Sequence, residues 1–215
     1  MSGESIVAAS SPRVRGMGTL ALLGVLAFAS VATVLQWVRV DLDWVRAPLS
    51  FYLIGPHGLW LQLAYVALAV TLAAIGLGYH RAMEAPARSR LAVGLFVLGA
   101  VALAVTAVAE TDRGGGRALT VAAQVHALAA PLAFLGTTLG MLVLSWSLRA
   151  DPRWRRRFAL AFGLAVFCFV ALWIHALWRE LPRGLSQKVV IVAILAWLAL
   201  ASLWLRRPID YQVNQ

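Results

Sequence analysis

Arg149 to Trp178 reads RADPRWRRRFALAFGLAVFCFVALWIHALW: nine residues with five arginines, then twenty-one without a single lysine, arginine or acidic residue. At about 1.5 Å per helical residue, such a run spans roughly 30 Å, the thickness of a bilayer's hydrocarbon core. A short loop as basic as Arg149 to Arg157, with only Asp151 against five arginines, resists translocation and belongs on the cytoplasmic side. One stretch therefore supplies both a membrane span and its direction.

Five more apolar segments flank it. Together they run Gly18 to Val38, Leu59 to Tyr79, Leu91 to Ala109, Val121 to Leu148, Phe158 to Trp178 and Val189 to Leu205. Uninterrupted runs of this length pair their backbone internally as helices, whereas barrel strands alternate over about ten residues. The expectation is an all-α, polytopic six-helix bundle over residues 18–205, with short tails at 1–17 and 206–215. Pro131 removes a backbone donor inside the fourth helix and is expected to kink it. The first segment also fits a signal peptide, since Arg13 and Arg15 precede Ala27-Phe28-Ala29. Its hydrophobicity runs on to Val38, past the length of a signal core, so it is read as a retained helix.

Composition agrees: 61% of the 215 residues are hydrophobic and 13% charged, with a mean hydropathy of +0.80. Too few polar groups remain to coat a soluble globule. The net charge of +10 would suit nucleic acid, but the basic residues sit between apolar runs and orient the chain instead. Twelve of the nineteen Lys and Arg fall in the two tails and the loops at 80–90 and 149–157. Both termini are thus expected in the cytoplasm, in the inner (plasma) membrane. The lone cysteine, Cys168, lies in an apolar run and reads as a small core residue.

With that topology, the polar groups near helix ends gather on the outer side: His57, Glu110, Asp112, His126 and His175, with only His80 at the inner end. Ionisable groups at bundle depth are functional-site candidates. Several stretches here resemble a bacterial and archaeal membrane family known as domain of unknown function 998. They are Pro48-Leu49-Ser50-Phe51-Tyr52 with Gly55-Pro56, Glu110-Thr111-Asp112 with Gly114, His126, Asp151-Pro152-Arg153-Trp154, and Gly184-Leu185-Ser186-Gln187-Lys188. The resemblance covers nearly the whole chain. It implies a six-helix membrane fold and carries no settled activity.

Three functions suit these residues. In the first, an outward-facing cavity centred on Asp112 and His126 binds a lipid-derived or amphiphilic small molecule. Ser50, Tyr52, Trp44 and Trp60 would line its entrance, and Arg46, Arg113 or Arg179 would pair with a phosphate. In the second, His57, Asp112, His126 and His175 hold zinc, with Glu110 as general base and Asp112 contributing to catalysis of lipid ester or amide hydrolysis. No compact metal motif accompanies them. In the third, the polar groups only satisfy one another and the chain is structural or an accessory subunit. Two histidines could also clamp a haem, although c-type attachment lacks its cysteines. Binding is the reading preferred. Gly136 and Gly140 have the spacing that lets helices approach closely within one chain.

Overall fold

The computed structural model describes residues 11–112 and 120–207. Six helices follow one another: α1 Pro12–Val38, α2 Gly58–Ala82, α3 Arg90–Val108, α4 Val121–Leu148, α5 Phe158–Leu177 and α6 Arg183–Arg206. Three short 3-10 turns, Leu49–Leu53, Ala85–Ala87 and Arg155–Arg157, lie in the connections, and no strand occurs among the described residues. Each helix is long and apolar enough to cross a membrane. The protein is an all-α bundle of the multi-pass membrane type.

Each helix packs on its sequence neighbour, and α6 returns to α1, so the six form a closed ring with α2 also touching α6. Residues 11 and 207 and the 83–89 and 149–157 connections share one end of the ring, here the proximal end. The 39–57 and 178–182 connections, with residues 109–112 and 120, share the other, the distal end.

Two helices begin earlier than the charge pattern predicts. Ser11 accepts the amide of Val14 and Pro12 occupies the first turn, so α1 starts at a serine-proline signal that needs no apolar residue. α6 starts at Arg183 rather than Val189, because the charge of Lys188 is absorbed by the carbonyls of Trp44 and Ala47, at 2.6 and 2.9 Å. α4 keeps the expected bounds and continues through Pro131 as one helix.

Small residues set the helix spacings. A side chain at Gly24 of α1 would strike Thr71 and the Ala67 carbonyl of α2. That close approach lets Thr71 Oγ1 donate to the carbonyls of Ala21 and Ala67, at 3.2 and 3.1 Å. α1 is therefore a packed member of the ring. A Cβ at Gly136 would lie 2.8 Å from the Gly99 nitrogen, and one at Gly140 would lie 3.2 Å from the Phe96 ring. The small-residue spacing thus serves α3–α4 packing within the chain. Across the ring, Tyr79 OH donates to the Ala201 carbonyl at 3.1 Å and Trp197 Nε1 to the Ala161 carbonyl at 2.9 Å. The rings of Phe96 and Trp197 stack at 6.1 Å, filling the centre of the proximal half together with Ile75 and Met141, both fully buried. Cys168 is buried as expected.

The outer face is apolar on every helix: Leu23, Leu63, Val101, Leu128, Phe167 and Val192 are each more than half exposed. That pattern suits hydrocarbon as the surrounding solvent. Trp37, Trp60 and Trp178 near helix ends are likewise exposed, as interfacial anchors are. Trp154 differs. It is buried, 5.0 Å from the Tyr79 ring, with Arg157 stacked over it at 4.8 Å.

The proximal end is locked by Asp151. Its side chain is fully buried and accepts from the amides of Glu84 and Arg153, each at 2.9 Å, and from Arg153 Nε and Nη2 at 3.0 and 2.8 Å. The α4–α5 connection is thereby pinned to the α2–α3 connection. Burial pushes the carboxyl's pKa up, but the Arg153 guanidinium and the two backbone donors outweigh it and hold it below the ordinary 3.8. A lowered folded-state pKa stabilises the fold fully above the unfolded value and loses that contribution as pH falls below it. We expect Asp151→Ala to cost about 1.5–3 kcal/mol at pH 7. Melting curves between pH 7 and 3 should show a wild-type loss in the acid range that the variant lacks; coincident curves would contradict the lock.

Candidate functional site

The distal end is built around an irregular loop, residues 39–57, whose backbone must be satisfied without a helix to do it. Arg39, only 2% exposed, does part of this. Its Nε and Nη2 clamp Asp41 at 2.7 and 2.8 Å, and its Nη1 donates to the carbonyls of Ile54 and Pro56 at 2.8 and 3.3 Å. The hydrogen bonds to Asp41 raise the pKa of this guanidinium further above its ordinary value, so the clamp is always charged. α6 holds the loop from the other side. The amides of Gly184 and Leu185, without helical acceptors at a helix start, donate to the carbonyls of Arg46 and Val45 at 3.1 and 2.8 Å. A side chain at Gly184 would collide with the Ala47 backbone.

Held this way, Leu49, Tyr52 and Leu53 are buried and close the distal end as a plug. Tyr52 lies between two cations, Arg39 at 5.9 Å and Lys188 at 5.5 Å from its ring. Burial raises its phenol pKa, with Arg39 opposing. The Leu49 amide donates to Gln187 Oε1 at 2.7 Å, which leaves the Gln187 amide nitrogen as a donor.

Beneath the plug lies a cavity of about 240 Å³ between α1, α2, α3, α4 and α6. Its upper wall is polar: Ser50, Thr106, His126 and Gln187. Leu68, Leu72, Phe134, Ile194 and Leu198 form its apolar wall, and Thr137 lines its deep part. Eleven residues separate His126 from Thr137 on α4, so the cavity extends roughly 16 Å along the bundle. His126 is buried, and its Nδ1 lies 2.8 Å from the Ala109 carbonyl. A carbonyl only accepts, so Nδ1 carries the proton, and in the neutral ring Nε2 presents a lone pair. Nε2 has no hydrogen-bond partner among the described residues.

The structure sorts the sequence candidates. Ser50 and His126 line the cavity. Asp112 does not join them; its carboxylate accepts from the amide and hydroxyl of Thr120, at 2.9 and 3.1 Å, and Thr120 caps α4. His175 is buried on the α5–α6 seam, with Nδ1 2.8 Å from Ser186 Oγ. His57 lies in a separate groove with Ser30, Val31 and Trp60, on the α1–α2 surface. It has φ 63°, a left-handed conformation uncommon outside glycine. Glu110, Arg46 and Arg179 are exposed, and Arg46 lies 3.8 Å from Asp43. Arg113 and the glycine run after it lie outside the described residues.

The zinc set finds no support among the described residues. His57, Asp112, His126 and His175 are dispersed, each of the last three already engaged by protein groups, and no three His, Cys, Asp or Glu form a metal-binding group among the described residues. Sequence reading missed Tyr65, Thr106 and Thr137 as cavity residues, because hydroxyls inside an apolar run carry no charge to mark them. It also counted Arg39 as an ordinary loop charge.

Replacing Lys188 by Met should leave the Trp44 and Ala47 carbonyls without their donor. We expect faster amide exchange across residues 39–57 with the proximal end unchanged; equal protection in both proteins would show that the loop does not depend on Lys188.

Comparison with curated proteins and with solved structures returned no match. A family model matches residues 22–204, which takes in α2 to α5, most of α1 and α6, and the whole 39–57 loop. The chain belongs to the family described as Protein of unknown function (DUF998).

Proposed function

We propose that this protein binds a lipid-derived or amphiphilic molecule in the distal cavity, with the polar part at Ser50, His126 and Gln187 and the apolar part along the inner faces of α2, α4 and α6. The observation that carries this reading is the cavity itself: about 240 Å³, polar at one end and apolar along its length. An apolar cavity of about 150 Å³ already accommodates benzene, and small-molecule pockets start at roughly 300 Å³. The space therefore suits a chain segment with a compact head. Its position under a loop at the end of a membrane-spanning bundle supports entry from lipid.

The reading includes an orientation, with the distal end facing outward from a plasma membrane and both termini cytoplasmic. Its support is the arginine-rich proximal end, where Arg153, Arg155, Arg156 and Arg157 stand in one connection. In a Cys168→Ala background, Glu110→Cys should react with a membrane-impermeant maleimide added to intact cells and Arg88→Cys should not. The reverse pattern would invert the topology.

Ala130 lines the cavity on α4, and Ala130→Trp should fill it without breaking a hydrogen bond. Molecules extracted from purified wild type and identified by mass spectrometry should include a stoichiometric amphiphile that falls at least about tenfold in Ala130→Trp, a difference of about 1.4 kcal/mol. Identical extracts would remove the binding reading.

A further inference from the structure

Among the described residues, the polar atoms that line the cavity share one property: none is charged. Ser50, Tyr65, Thr106, His126, Thr137 and Gln187 supply hydroxyls, an imidazole and an amide, and no lysine, arginine, aspartate or glutamate joins them. Two described cations of the distal end, Lys188 and Arg39, are committed elsewhere. Lys188 donates to two loop carbonyls and Arg39 to Asp41 and two more. Thr106 is also committed, donating to the Ala102 carbonyl at 2.8 Å. What is left is a lone pair on His126 Nε2, the Gln187 amide protons fixed by the Leu49 bond, and the hydroxyls of Ser50, Tyr65 and Thr137.

We infer that the molecule bound here is a long-chain amphiphile with an uncharged, hydrogen-bond-donating head, of the alcohol class, an inference that rests on the binding reading above. A hydroxyl donates one proton and accepts through two lone pairs. Its proton suits His126 Nε2, and its oxygen suits the Gln187 amide and Ser50. A carboxylate or a dianionic phosphate has no proton to give the imidazole, would place its charge against the lone pair of the neutral ring, and would be desolvated with no cation among the described residues of the cavity wall. The head group is selected by what the wall lacks as much as by what it offers.

The test uses the full chain in lipid nanodiscs and a photoreactive twelve-carbon alcohol, with labelled peptides mapped by mass spectrometry. Label should fall on cavity peptides of α4 and α6 and be displaced by dodecanol at concentrations at least about tenfold lower than by dodecanoate or dodecyl phosphate. His126→Asn keeps a donor near the Ala109 carbonyl and removes the Nε2 acceptor; it should retain labelling and shrink that preference to within about threefold. Cavity labelling displaced equally well by the anions, or a preference untouched in His126→Asn, would overturn the alcohol assignment while leaving the cavity a binding site. If wild type and Ala130→Trp show the same absence of cavity label, the binding reading itself fails. Should His126→Asn not fold, the order of the three competitors on wild type, with Ser50→Ala beside it, decides the matter.

Discussion

A buried arginine determines what the distal half of this bundle can be. Backbone at the end of a membrane protein has no helix to satisfy it and little water to turn to. Arg39 meets that constraint by spending its guanidinium on one carboxylate and two carbonyls of the loop that follows α1. With the loop fixed, the start of α6 can dock on it through Gly184, Gln187 and Lys188. Leu49, Tyr52 and Leu53 can then close the ring from above. The cavity exists because this plug stops short of the packed centre formed by Phe96, Trp197 and Met141.

The two ends solve the same problem with opposite charges. At the proximal end an aspartate, Asp151, gathers four donors and joins two connections; at the distal end an arginine and a lysine gather carbonyls. Two of the short motifs that suggested the family, Asp151-Pro152-Arg153-Trp154 and Gly184 to Lys188, are thus explained by backbone satisfaction and packing. The same loops that read as orienting charges also carry tertiary structure.

The fold was legible because lipid demands long uncharged runs, and six of them are present. Helix starts at Pro12 and Arg183 were harder, since one depends on a serine cap and the other on a lysine whose charge is absorbed by a distant loop. The site was legible only in part. His126 and Ser50 were found, but His57, His126 and His175 could be told apart only by the rotation of each helix about its axis, which places one in a surface groove, one in the cavity and one on a seam. Tyr65 and Thr137 offered no signal at all within apolar runs. Proximity to the same end of a bundle is not convergence.

The central claim is that the distal cavity is a site for an amphiphile rather than a packing void. The most direct measurement is an experimental structure of the wild-type protein purified from its native membrane in lipid nanodiscs. The account predicts elongated non-protein density that starts within hydrogen-bond distance of His126 Nε2 and runs down the apolar wall toward Thr137. A cavity collapsed by repacking of Phe134 and Leu198, or one holding only separate waters, would contradict it.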